Sequence, residues 1–144
     1  MVLPRLGTCK AMFEDLCALE YANPTTFGGV HLLTVDAYAL QHSSGRSPRS
    51  NAFHLMRLCL LLEHGGNPAI GHRPPRVVGK SFEEDYRGFP YLQPPTATGQ
   101  LTISDVHGAP SPQEHARCVR RYAQSVWNAW AAHHAWAREA AKRS

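Results

Sequence analysis

Long hydrophobic runs are missing from this chain. The longest, Leu58 to Leu62, falls far short of the roughly 20 apolar residues that span a bilayer. The start carries neither an apolar core segment nor a cleavage site, which reads as no signal peptide. Blocks of like charge are absent, lysine is scarce, and the net charge is only +4. That pattern gives nucleic acid no basic stripe to meet. Cys9, Cys17, Cys59 and Cys118 form no CxxC or CxxxC pair. Cys9 and Cys17 fall on one predicted helix about 12 Å apart, too far for a disulfide, so four reduced thiols among apolar neighbours are expected. HxxxH, ExxH, HExxH, GxSxG, GxGxxG and a Walker loop are all lacking, so none of the chemistries those motifs carry is announced.

What is present is helical periodicity. The 144 residues suit one domain, 1–144, able to bury a core without disulfides. Apolar residues at Cys9, Met12, Phe13, Leu16, Cys17 and Leu19 predict a first helix over about 8–23, ended by Asn23-Pro24. A second helix fits 30–42, with Leu33, Asp36, Ala37 and Leu40 on one stripe. A third runs from Ser50 or Asn51 to His64, apolar nearly all round and so expected at the centre. Most of the prolines and glycines between 65 and 112 lie in one long connection, in which Ser81 to Glu84 predicts a short helix over 82–87. Gly99 to Val106 reads as a short strand or a packed loop. Ser111-Pro112-Gln113-Glu114 supplies a cap, an N1 proline and a capping-box glutamate, and predicts the longest helix, from about Pro112 to Ala141 without a break. The resulting architecture is all-α and four-helix bundle-like, with a Pro/Gly-rich excursion before the last helix.

Nine histidines are the main chemical signal. His42 and His64 sit at helix C-termini, where they suit the helix dipole. His54, His133 and His134 lie inside helices, and His31 opens one. Adjacent His133 and His134 point about 100° apart, so any metal site must be assembled between helices. The candidate ligands are His31, His54, His133 and His134, with zinc or a similar divalent ion as cofactor. Asp36, on an apolar stripe, must find a histidine, an arginine such as Arg120 or Arg121, an indole N–H or a metal. Asp36 and Trp130 are therefore candidate ligand-binding residues. Three tryptophans on the last helix suit core packing better than a cofactor pocket. No catalytic residue is identified: Ser125 lacks a base, and Cys59 is expected to be too buried to react.

The segments VHLLTVDAYALQH (30–42), HLMRLCLLLE (54–63), LQPP with GQLTISDV (92–106) and SVWNAWAAHH (125–134), together with the helix of Cys9 to Tyr21, resemble a bacterial family of small proteins, domain of unknown function 5946. The resemblance covers most of the chain and implies no activity. Members often begin with a CPGCG-like stretch resembling half of a zinc ribbon, which this sequence lacks. The helix count is more loosely similar to DinB-like metal-binding bundles, whose last helix carries a spaced histidine pair where this one has an adjacent pair.

These readings converge on a cytoplasmic protein that binds a metal or small ligand between helices, with metal-dependent hydrolase or transferase as the enzyme class. The competing reading is a non-catalytic module whose polar groups are structural and whose loops meet a partner protein. Convergent imidazoles would favour the first, and histidines satisfied one by one the second.

Overall fold

The computed structural model describes residues 6–43, 48–65 and 88–143. Among these residues there are six helices and no strand: α1 (Leu6–Ala22), α2 (Pro24–Phe27), α3 (His31–Gln41), α4 (Pro48–Glu63), α5 (Pro112–Ala129) and α6 (His134–Arg143). Single 3-10 turns lie at Ile103–Asp105 and Ala131–His133. The all-α, bundle-like expectation holds. Two short helices join the four main ones: α2 forms inside the connector after Pro24, and α6 arises where the last helix breaks. The predicted helix over 82–87 lies outside the described residues.

Helix α3 packs chiefly on α4 and α5, and α4 also on α6. The predicted α3 stripe is the buried one: Leu33, Asp36, Ala37 and Leu40 are each at most 1% exposed. Helix α4 is central, with every residue from 50 to 60 buried. On α1 the apolar face is narrower than predicted. Leu16 is buried, but Leu19 is 44% exposed, because the face runs 9, 13, 16, 20 and ends on Glu20.

The segment before α5 is a packed loop. Gln41 at the end of α3 donates through Nε2 to the carbonyls of Thr98 (3.3 Å) and Leu101 (2.7 Å), and its Oε1 accepts from Tyr122 Oη at 2.9 Å. From α5, Ser125 Oγ accepts the amides of Gln100 (3.2 Å) and Leu101 (3.3 Å). Gly99 adopts φ +109°, and a Cβ there would stand 2.9 Å from Ser125 Oγ. Both the close approach and the positive φ require glycine.

Ser111 caps α5 as predicted, its Oγ accepting the Glu114 amide at 3.1 Å. The helix is the longest described, but it stops at Ala129 instead of continuing to 141. At Trp130 the backbone departs to φ −92°, ψ 24°, and its N–H bonds the Trp127 carbonyl, three residues back, at 3.0 Å. Side-chain packing explains the break. Trp130 is fully buried, while His134 lies over Trp127 and its Nε2 stands 2.7 Å from the Trp127 carbonyl oxygen. The chain is thereby re-aimed, and Ala137, Ala140 and Ala141 of α6 are buried.

Candidate functional site

Two buried carboxylates organise the polar interior. Glu20, in the last turn of α1, is 1% exposed. Its Oε1 is 2.8 Å from His31 Nδ1 on α3. Its Oε2 accepts from Thr34 Oγ1 at 2.8 Å and lies 2.7 Å from His115 Nε2 on α5. One carboxylate thus gathers donors from two other helices. An ionised carboxylate only accepts, so each facing ring nitrogen carries a proton in this arrangement. The rings are held by aromatic neighbours: Phe27 lies 4.7 Å from His115 and Tyr21 stands edge-on to His31 at 4.9 Å, centroid to centroid. The His31 side chain is 20% exposed and that of His115 only 4%, so the cluster meets solvent on its His31 side.

The second carboxylate is Asp36 on α3, fully buried. Arg57 of α4 grips it through Nε (2.8 Å to Oδ2, 3.1 Å to Oδ1) and Nη2 (2.6 Å to Oδ1), and His54 Nδ1 lies 2.8 Å from Oδ1. The Arg57 guanidinium also lies over the Phe53 ring at 5.1 Å. Asp36 therefore has the partner its position demands, but from α4. Arg120 and Arg121, the arginines named from sequence, lie exposed on α5.

The four histidines expected as metal ligands go to different partners. His31 meets Glu20 and His54 meets Asp36. His133 Nε2 lies 3.0 Å from the Gln93 carbonyl oxygen, and His134 Nε2 lies 2.7 Å from that of Trp127. No hydrogen bond links His54 to His133 or His134, because the break at Trp130 takes both rings to main-chain acceptors. Trp130 is wholly within the core, its indole Nε1 buried and without a partner. Among the described residues no group of three or more His, Cys, Asp or Glu is arranged to hold a metal ion, the Glu20, His31 and His115 cluster included.

Glu20, His115 and Arg57 were not singled out from sequence. A signal existed for each. Glu20 continues the apolar stripe of α1 by the same logic that marked Asp36. His115 heads the stripe of Val119, Tyr122 and Val126. Arg57 is the lone arginine or lysine in the apolar run from Ala52 to Leu62.

Nucleophile chemistry finds little support here. All four cysteines are free. Burial, reinforced by Glu63, pushes the Cys59 thiol up to about 11. Burial, then Glu20 and Glu14, pushes Cys17 to about 11 as well. The Ser125 hydroxyl is occupied by two loop amides.

The fold and these clusters define a small all-α protein whose helices are cross-linked by buried carboxylate–imidazole contacts. A family model described as a family of unknown function (DUF5946) matches residues 1–131, and the chain belongs to that family. No curated protein and no solved structure matches it, so the looser likeness to DinB-like bundles gains no support. Among the described residues no helix is long and apolar enough to cross a membrane.

Proposed function

We propose that this protein binds a divalent metal ion through Glu20, His31 and His115. One observation carries the reading: a fully buried carboxylate whose two oxygens are each met by an imidazole nitrogen, from helices far apart in sequence, at 2.8 and 2.7 Å. Two imidazoles and a carboxylate are a donor set that zinc and similar ions accept. The described arrangement is closed by hydrogen bonds. Donors bound at about 2.0–2.2 Å from an ion stand roughly 3 Å from one another, so both contacts must open and the two imidazoles, which meet opposite carboxylate oxygens, must re-aim at one point. To bind the ion, each ring would turn a lone pair toward it and carry its proton on the nitrogen facing away, so a proton would be released only from a doubly protonated ring. Thr34 would orient the carboxylate from behind. Three protein donors leave a coordination position for water or a substrate, which is how such a site would serve a hydrolase or transferase.

A second reading, the non-catalytic module, is favoured by His54, His133 and His134, each satisfied by its own partner. Metal content separates the two. Protein purified without a His tag, then titrated with zinc and with cobalt, is expected to hold one equivalent. His115→Ala and His31→Ala should lose it, and His54→Ala should retain it. Cobalt should give the absorption of a nitrogen- and oxygen-ligated ion. No stoichiometric uptake, or uptake indifferent to His115→Ala, leaves the Glu20 cluster as a structural tie and returns the second reading.

A further inference from the structure

Helix α5 carries a second chemical feature, remote in sequence from Glu20 and independent of the metal reading. A cleft of about 710 Å³ is lined by Ala97, Gln100 and Leu101 on the loop side and by Arg121, Ser125 and Asn128 on the helix side. That volume lies in the usual range of small-molecule sites, about 300–1,000 Å³. A smaller cleft of about 130 Å³ adjoins it, sharing Leu101 and Arg121, so Arg121 stands where the two meet.

We infer that this groove binds a small organic carboxylate, with Arg121 as its anchor. Three observations lead there. First, Arg121 has no hydrogen-bond or ion-pair partner among the described residues, whereas Arg57, Arg117 and Arg138 are each matched to a carboxylate. A guanidinium presents paired N–H donors in the geometry of a carboxylate. Second, the wall opposite is preformed. The two amides on Ser125, the Gln41 bonds to Thr98 and Leu101, and the tight Gly99 approach fix the loop before any ligand arrives. Little ordering cost remains for binding. Third, the lining is mixed. Ala97 and Leu101 offer apolar surface for a short tail, and Asn128, whose Oδ1 accepts from Gln124 at 2.9 Å, keeps its amide N–H groups for the ligand. Asp105 lines only the smaller cleft, and its Oδ2 accepts the Thr102 amide at 2.8 Å.

The test is a titration of the metal-free full chain, followed by amide nitrogen–proton NMR, with hexanoate, hexanol and inorganic phosphate as separate probes. Hexanoate is expected to shift the Gln100, Leu101 and Asn128 signals saturably, and hexanol and phosphate to bind more weakly. Arg121→Gln should weaken hexanoate by about tenfold or more, the loss expected for a hydrogen bond to a charged group. Ala97→Trp, at an exposed loop position, should block the groove without disturbing the core. No saturable shift with hexanoate overturns the inference. So does a hexanoate affinity unchanged by Arg121→Gln, or phosphate binding tighter than hexanoate, which would make the groove a phosphate site. Loss of metal binding leaves these outcomes unaltered, so the two readings fail separately.

Discussion

His134 lies flat on Trp127, ring centroids 3.8 Å apart and planes within 9°, while its Nε2 reaches the Trp127 carbonyl oxygen at 2.7 Å. One ring thus covers another and also serves the carbonyl that the helix break leaves short of its usual partner. His134→Ala is expected to destabilise by about 1–2 kcal/mol through loss of the hydrogen bond and stack together. His134→Gln should recover part of this. Denaturant titration checks both, and an alanine variant as stable as the parent would show that the break is held by Trp130 alone.

The Asp36–Arg57 pair sets a larger expectation. Asp36→Ala strands a buried guanidinium and should cost about 3–5 kcal/mol, and Arg57→Met should cost a similar amount by stranding the carboxylate. The double variant Asp36→Leu/Arg57→Met should be much less damaging than the sum, since neither charge remains. A double-mutant cycle with no coupling energy would contradict the geometry.

Gly99→Ala places a methyl against Ser125 at a backbone conformation that L residues rarely adopt. The expected cost is about 1–3 kcal/mol. Gly99→Ala/Ser125→Ala should recover only part of it, because the Ser125 main-chain oxygen and carbon still stand 3.1 and 3.2 Å from the new methyl and the positive φ remains. Thermal unfolding of the two variants measures what the hydroxyl contact alone contributes.

Cysteine reactivity gives a pH test. Cys17 and Cys59 both have thiols raised to about 11 from an ordinary 9.0. A group raised in the folded state stabilises below its unfolded value and loses that contribution as pH climbs through the folded one. Stability should therefore fall between about pH 9 and 11, and Cys17→Ser/Cys59→Ser should flatten that part of the profile. At pH 8, mass spectrometry after brief alkylation of the folded chain should find Cys17 and Cys59 largely unmodified. All four should react once the chain is denatured.

The helices were legible because period and punctuation agreed: Asn23-Pro24 ended α1, and Ser111-Pro112 opened α5. The stop at Trp130 was not, because no glycine or proline marks it. It is imposed by tertiary packing of Trp127, Trp130 and His134, in a stretch whose alanines favour helix and which holds no strong breaker. The same gap affected the site. Asp36 was identifiable as a carboxylate on an apolar stripe, but its arginine came from α4, where a long stem can bury its methylenes and offer its head inward. His31 was a sound candidate whose neighbours were not foreseen. Pairing Glu20 with His115, 95 positions apart, needs the helices in place, and only their stripe positions hinted at it.

The turn at Trp130 also sets an order of opening. Helix α6 is held by the His134 stack, by three buried alanines, and by the Arg138–Glu63 pair at 2.9 and 2.7 Å. That pair is half-exposed and therefore weak. The helix also lies beyond residue 131, where the family match ends. Because the helical hydrogen-bond ladder is interrupted, strain or heat at the C-terminal end can detach ten residues without unwinding α5. In hydrogen exchange the α6 amides should therefore lose protection first, as a group. The next event uncovers Trp130, so in a Trp127→Phe/Trp136→Phe variant its fluorescence would report the moment at which fraying of the tail becomes unfolding of the core.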